Sequence, residues 1–183
     1  MKTNTSKEFL KDCLSDSLIK LLNKKGLNNI SIDEITDTAG VSRSTYYRSF
    51  NSKEEVLLYF YKSCYKEWKY NNKLRISDIR KKEEFLVFIG FIKEMKDINF
   101  LLYKRHLSEV LKDFIDEEVR LCVSNTKTED EMSLRTAEND SKALPNKYNA
   151  IFYSGIYFSV INEWIKDEYK GDICTFIFDN IIS

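Results

Sequence analysis

The sequence predicts an all-α protein. Its 183 residues hold only five glycines and one proline, Pro145, which is too few breakers for many short strands. Apolar residues recur at helical spacing in block after block, and no segment alternates convincingly. Hydroxyl residues stand where helices would begin, twice followed three residues later by glutamate. A hydrophobic content of 43% is enough to bury a sizeable core.

Taken in order, Ser6 precedes a helix with Phe9, Leu10, Cys13, Leu14, Leu18, Leu21 and Leu22 on one side, and Gly26 stops it after Lys24 and Lys25. Ser31 with Glu34 forms a capping box for a short helix carrying Ile32, Ile35 and Ala39, which Gly40 ends in a turn. Ser42 caps another short helix through Tyr47. Ser52 with Glu55 reads as a second capping box, opening a long helix to about Tyr70. A helix follows from Ile79 to about Met95, and one or two more lie between Asp97 and about Ser124. Thr126 to Lys147 is polar and aperiodic and reads as a long loop. Tyr148 to Tyr169 is helical and apolar almost all round, and Asp172 to Ile182 forms the last helix.

Formal net charge is zero, but it is divided. Residues 1–75 carry 14 Lys and Arg against 9 Asp and Glu, and residues 76–183 carry 15 against 20. A basic front of net +5 suits a polyanion partner. Cys13, Cys64, Cys122 and Cys174 are scattered and His106 is the single histidine, so neither a zinc site nor a disulfide framework is indicated. With no apolar leader and no segment long enough to span a bilayer, the expected location is the cytoplasm. An enzyme is disfavoured. There is no phosphate-binding glycine loop, no metal cluster and no second histidine for an acid–base pair. No cofactor is expected.

Two short helices joined by a glycine turn, behind a third helix, make a helix-turn-helix unit. The second short helix would enter the major groove and present Arg43, Ser44 and Thr45 to base edges. Ser31, Ser42, Tyr47 and Lys53 suit phosphate oxygens, which set register. The three serine caps would stand there whether or not DNA is present, so the joint spacing carries the reading.

That spacing resembles the TetR/AcrR family of bacterial transcriptional regulators. The likeness covers residues 7–58 and rests on Gly26, on "SIDEITDTAGVS", on "YYRSF" and on Lys53, Glu54 and Leu57. It implies phosphate contacts at Ser31, Ser42, Tyr47 and Lys53, and base reading at Arg43 and Ser44. Tyr46 falls where the family packs an apolar residue on the first helix, and Phe50 falls in the core. Ser44 stands where many members carry glycine. "FYSGIYFSVINEWIKDEYKGDICTFIFDNII" resembles the family's last two helices, which pair with a second subunit as a four-helix bundle. The middle helices resemble the branch related to regulators of dihydroxyacetone kinase genes, some of which act with a protein partner.

The expected organisation is a helix-turn-helix domain over 1–51 and a ligand-binding and dimerisation domain over 52–183, with 52–70 as the connecting helix. A helix apolar on nearly every side must bury one face on something other than its own domain. The expected dimer interface is Phe152, Gly155, Ile156, Ser159, Phe176 and Ile177. Phe85, Phe88, Tyr103 and Tyr157 are the expected lining of an apolar effector pocket. The function that follows is a homodimeric repressor bound to a pseudo-palindromic double-stranded operator and released by a small molecule or protein partner. The alternative is a helical protein-interaction adaptor without operator-specific binding.

Overall fold

The computed structural model describes residues 2–125 and 146–181. Among these residues every regular element is helical. In chain order they are α1 (Lys2–Lys24), a 3-10 turn (Leu27–Asn29), α2 (Ile32–Ala39), α3 (Arg43–Ser49), α4 (Lys53–Asn71), α5 (Lys82–Glu94), α6 (Lys96–Lys104), α7 (Ser108–Asn125), α8 (Asn146–Lys166) and α9 (Ile173–Asn180). The long loop expected at Thr126–Lys147 lies outside the described residues, apart from Asn146 and Lys147, which open α8.

α2 and α3 pack on α1 to form a small head. α4 leaves the head, lying first against α1 and then against α7. In the body, α7 runs along α8, α6 lies on both, and α5 closes on α6 and α9. The centre of the body is aromatic. Tyr61, Tyr65, Phe88, Phe91 and Phe114 are all buried, with ring centroids as close as 4.6 Å for Tyr61–Phe114 and 4.7 Å for Tyr65–Phe91. The Tyr61 hydroxyl donates to Asn99 Oδ1 at 2.7 Å, and Asn99 Nδ2 donates to the Ile92 carbonyl at 2.8 Å. That chain satisfies the buried groups of Tyr61 and Asn99, whereas the Tyr65 hydroxyl is buried with no hydrogen-bond partner among the described residues.

α5 begins three residues later than its apolar pattern predicts. Residues 77–80 form an anchored turn instead. The Glu84 carboxylate accepts from the Ser77 and Asp78 backbone N–H groups and from the Ser77 hydroxyl. Asp78 in turn takes both Nε and Nη2 of Arg80 at 2.7 Å. Ile79 is buried within this turn, and its carbonyl accepts from the Tyr157 hydroxyl at 3.0 Å.

The boundary between α6 and α7 was left open by the sequence because its signal is not a glycine. His106 stands in the left-handed region at φ 57°, and Leu107 N donates to Leu102 O at 2.9 Å. This is the six-to-one closure that usually places glycine after a helix. α4 ends the same way at Lys73 (φ 54°), with Leu74 N donating to Lys69 O at 2.9 Å. α8 ends at Glu168 and Tyr169, at φ 55° and 62°. A left-handed non-glycine residue costs roughly 1–2 kcal/mol of backbone strain. Part of that returns if glycine replaces it, offset by the extra freedom of the unfolded chain. His106→Gly is therefore expected to stabilise the protein by about 1 kcal/mol. Chemical denaturation of the two proteins measures this, and an unchanged or lowered midpoint contradicts it.

Candidate nucleic-acid interface

The head is assembled from short-range chemistry. Ser31 Oγ accepts from Glu34 N at 3.2 Å, and Glu34 Oε2 accepts from Ser31 N at 2.9 Å, so the capping box closes as predicted. Lys25 pairs with the same glutamate at 2.5 Å. Its hydrogen bond, followed by that from the Ser31 backbone, holds the Glu34 carboxyl down at about 2. The charged half of the box is thus fully present above the ordinary value of 4.5 and weakens as pH falls through about 2, while the bond from Glu34 N to Ser31 Oγ does not titrate.

Gly40 at φ 67° ends α2, and Val41 N reaches back to Thr36 O at 3.0 Å. Ser42 then caps α3, its Oγ accepting from Thr45 N at 3.3 Å. One side of α3 is inward: Tyr46 is buried against Phe50, their ring centroids 6.2 Å apart. Burial, with Glu54 second, pushes the Tyr46 phenol up to about 12. The other side, with Arg43, Ser44, Tyr47 and Arg48, faces solvent.

The predicted contact residues divide on this surface. Arg43 and Tyr47 are exposed side by side, and Asp33 Oδ1 on α2 lies 2.9 Å from Arg43 Nε. The Ser44 hydroxyl is exposed but folds back onto Ser42 Oγ at 2.8 Å. Thr45, expected at a base edge, is buried at 8% exposure, with its hydroxyl 3.0 Å from Ser42 Oγ. It braces the cap from inside. Ser31 is exposed, but its N–H and hydroxyl both donate to Glu34 Oε2. Lys53, expected on phosphate, instead donates to the carbonyls of Leu27 at 2.7 Å and Ile30 at 2.9 Å. It ties the start of α4 to the turn before α2.

Sequence reasoning missed Arg48, exposed in the last turn of α3, and Asp33, the partner of Arg43. Arg48 was visible as the residue four positions beyond Ser44 on the same helix face. Asp33 had no sequence signal beyond the general preference of a first helical turn for acids.

In the body, the expected effector pocket is filled by its own lining. Phe85, Phe88 and Tyr157 are fully buried, Phe85 and Tyr157 with ring centroids 4.4 Å apart and Phe88 stacked on Phe114 at 5.9 Å. Tyr103 is only half-buried, on α6. On α8 and α9, Phe152 and Phe176 are about half exposed at 53% and 51%, and Gly155 and Ser159 are exposed between them. Ile156 is half-buried. Ile177 does not belong to that surface. It is fully buried in its own core, because the two faces of a short amphipathic helix are only one residue apart at this point.

Among the described residues no cluster of His, Cys, Asp and Glu could hold a metal ion, and no helix is long and apolar enough to cross a membrane. Cys122 and Cys174 are buried, while Cys13 and Cys64 are half-buried.

Three helices, a left-handed glycine turn, and a capped second helix offering two arginines and a tyrosine to solvent define a helix-turn-helix DNA-binding unit. Residues 15–60 match the family of bacterial regulatory proteins known as the tetR family, so the chain carries that family's N-terminal DNA-binding transcriptional regulator domain. Regulators of this family are non-enzymatic. A comparison with curated proteins gave no match.

The two hydrogen bonds made by Lys53 have a measurable consequence. Lys53→Met keeps the aliphatic stem and removes the donors. It is expected to lower the stability of the DNA-free protein by about 2 kcal/mol, the range for hydrogen bonds from a charged group. Thermal or urea unfolding without DNA tests this. A lysine that served phosphate alone would leave the midpoint where it is.

Proposed function

We propose that this chain is a homodimeric transcriptional repressor, joined through α8 and α9, whose two α3 helices read the half-sites of a pseudo-palindromic operator. The observation that carries the reading is that one chain exposes two unlike surfaces. One is the polar, cationic face of α3. The other is an apolar stripe on α8, with Tyr148, Ile151, Phe152 and Gly155 at helical spacing and Phe176 of α9 beside it. Beside that stripe a groove of about 340 Å³ is lined by Val160, Trp164, Ile173 and Phe176, with Ser159, Glu163, Asp167 and Lys170 at its polar side. The buried indole N–H of Trp164 has no partner within the described residues. A second copy would cover all of this by twofold symmetry. The net +5 of residues 1–75 favours phosphate at the other end.

Two connections run from body to head. α4 is one: Tyr59 donates to Asp12 of α1 at 2.8 Å, and Lys62 pairs with Glu117 of α7. The second is Arg105, at the end of α6. Its Nε and Nη2 donate to the last carbonyls of α1, Leu22 O at 3.1 Å and Asn23 O at 3.2 Å. A signal that tilts α4 or withdraws Arg105 changes how the head sits. Because the aromatic core is packed ring on ring, a protein partner acting on the body's surface suits this chain better than a small molecule among Phe85, Phe88 and Tyr157. Whatever the signal, it releases DNA only by binding the released form more tightly, and operator must weaken its binding by the same factor.

Nothing lies within 4 Å of where a Gly155 Cβ would sit, so Gly155→Arg is compatible with the folded protomer. It places a charge in the centre of the dimer surface, where burial without a partner is costly. Sedimentation velocity at micromolar concentration is expected to show a wild-type dimer and a monomeric Gly155→Arg protein with unchanged helicity. A monomeric wild type refutes the assembly.

Arg43→Ala is expected to weaken operator binding by about 1–3 kcal/mol per half-site and to relax preference at one base pair in each. Gel shifts on the DNA upstream of the chain's own gene, with single-base variants, read both effects. Equal binding by Arg43→Ala refutes the register assigned to α3, and absence of sequence preference in the wild type favours the adaptor reading.

A further inference from the structure

Asp33 is an exposed acid on a surface read as DNA-binding, where its charge opposes phosphate. Folding accounts for an acid in the first turn of α2, where it favours the helix N-terminus, but not for its contact with Arg43. The capping role at the start of α2 is already taken by Glu34, and an exposed ion pair adds little to stability. What the position does achieve is geometric. Asp33 belongs to the first turn of α2, and Arg43 is the first residue of α3. Their contact therefore spans the two helices on either side of the Gly40 turn. Asp33 Oδ1 lies 2.9 Å from Arg43 Nε, so the carboxylate sits at the stem side of the guanidinium and not across its two terminal nitrogens.

Tyr47 meets the guanidinium from one turn further along α3, and a hydrogen bond from Arg43 to Tyr47, followed by the charge of Asp33, raises the pKa of Arg43. Tyr47 is itself fixed, edge-on to the buried Tyr46 ring at 5.5 Å and 88°. An arginine reads guanine by placing two N–H groups on O6 and N7, which requires its side-chain torsions to be set.

We propose that Asp33 is a positioning residue that sets base specificity: it holds Arg43 by Nε so that the terminal nitrogens meet a guanine edge in the operator. This rests on the reading of α3 as the recognition helix. Asp33 makes the protein choosier at the expense of general affinity for DNA, since the same carboxylate repels the backbone.

The test begins with selection of binding sites from random duplex DNA by the full-length wild type. The position that Arg43→Ala relaxes is then varied through all four bases, with wild type, Asp33→Asn, Arg43→Ala and the double variant. Asp33→Asn is expected to lower the guanine preference at that position about tenfold, within the range of one bidentate base contact. It is also expected to bind unrelated DNA more tightly. In the Arg43→Ala background the same change is expected to leave base preference unaltered. Asp33→Glu keeps the first-turn charge and still reaches Arg43, so it is expected to keep the preference; thermal melts establish that each variant is folded. If Asp33→Asn binds every sequence more tightly with the wild-type preference intact, the carboxylate merely competes with phosphate and the proposal fails. It fails equally if the preference shifts without Arg43. A wild type that enriches no sequence overturns the recognition-helix reading itself, an outcome distinct from the other two.

Discussion

Helices of eight and seven residues do not hold together alone in water, and the reading surface consists of two of them. Their existence depends on burial against α1. Ile35 of α2 and Tyr46 of α3 are almost wholly removed from solvent, and Phe50 closes the end of α3. Each such side chain contributes about 1.5–3 kcal/mol by leaving water, which exceeds what a single cap supplies. Capping then decides where each helix starts, and burial decides which way it faces. Arg43, Ser44 and Tyr47 point outward because Tyr46 points inward.

The same surface shows that a basic domain is not a surface of free cations. Lys25 is paired with Glu34, Arg43 with Asp33, and Lys53 is held by two backbone carbonyls. The net charge of the head acts at a distance and favours encounter with DNA. On the reading proposed for α3, DNA at contact range would either take these cations from their partners or accept them where they are held. A lysine on two carbonyls stiffens the head, whereas Arg43, with Asp33 at its Nε, stays on the exposed face of α3.

Much of this was legible from the sequence, for identifiable reasons. Caps and the Gly40 turn depend on a few adjacent residues, so α2, α3 and the start of α4 were readable one by one. The second capping box was only half right, because Glu55 accepts from Asn51 N at 2.7 Å and not from Ser52 N. The end of α6 was illegible because His106 does what glycine usually does. The partners of Thr45 and Lys53 within the head were hidden for a common reason. Sequence gives a residue's chemistry but not which side of a one-turn element it occupies, and both found partners within the head. Phe85, Phe88 and Tyr157 were ambiguous in principle, since pocket wall and packed core have the same composition. Only the ring-to-ring distances separate them.

The grip of Arg105 on the last carbonyls of α1 bears on how the molecule comes apart. Those carbonyls have no acceptor role left within their own helix, and a side chain of the body fills it. Fraying of the final turn of α1 therefore loosens α6, and loosening α6 exposes the end of α1. Tyr59 on Asp12 joins α4 to the middle of the same helix. Head and body thus share an edge held by hydrogen bonds. Amide hydrogens near Leu22 and near Leu102 should exchange through the same opening, as members of one cooperative unit rather than of two domains that melt apart.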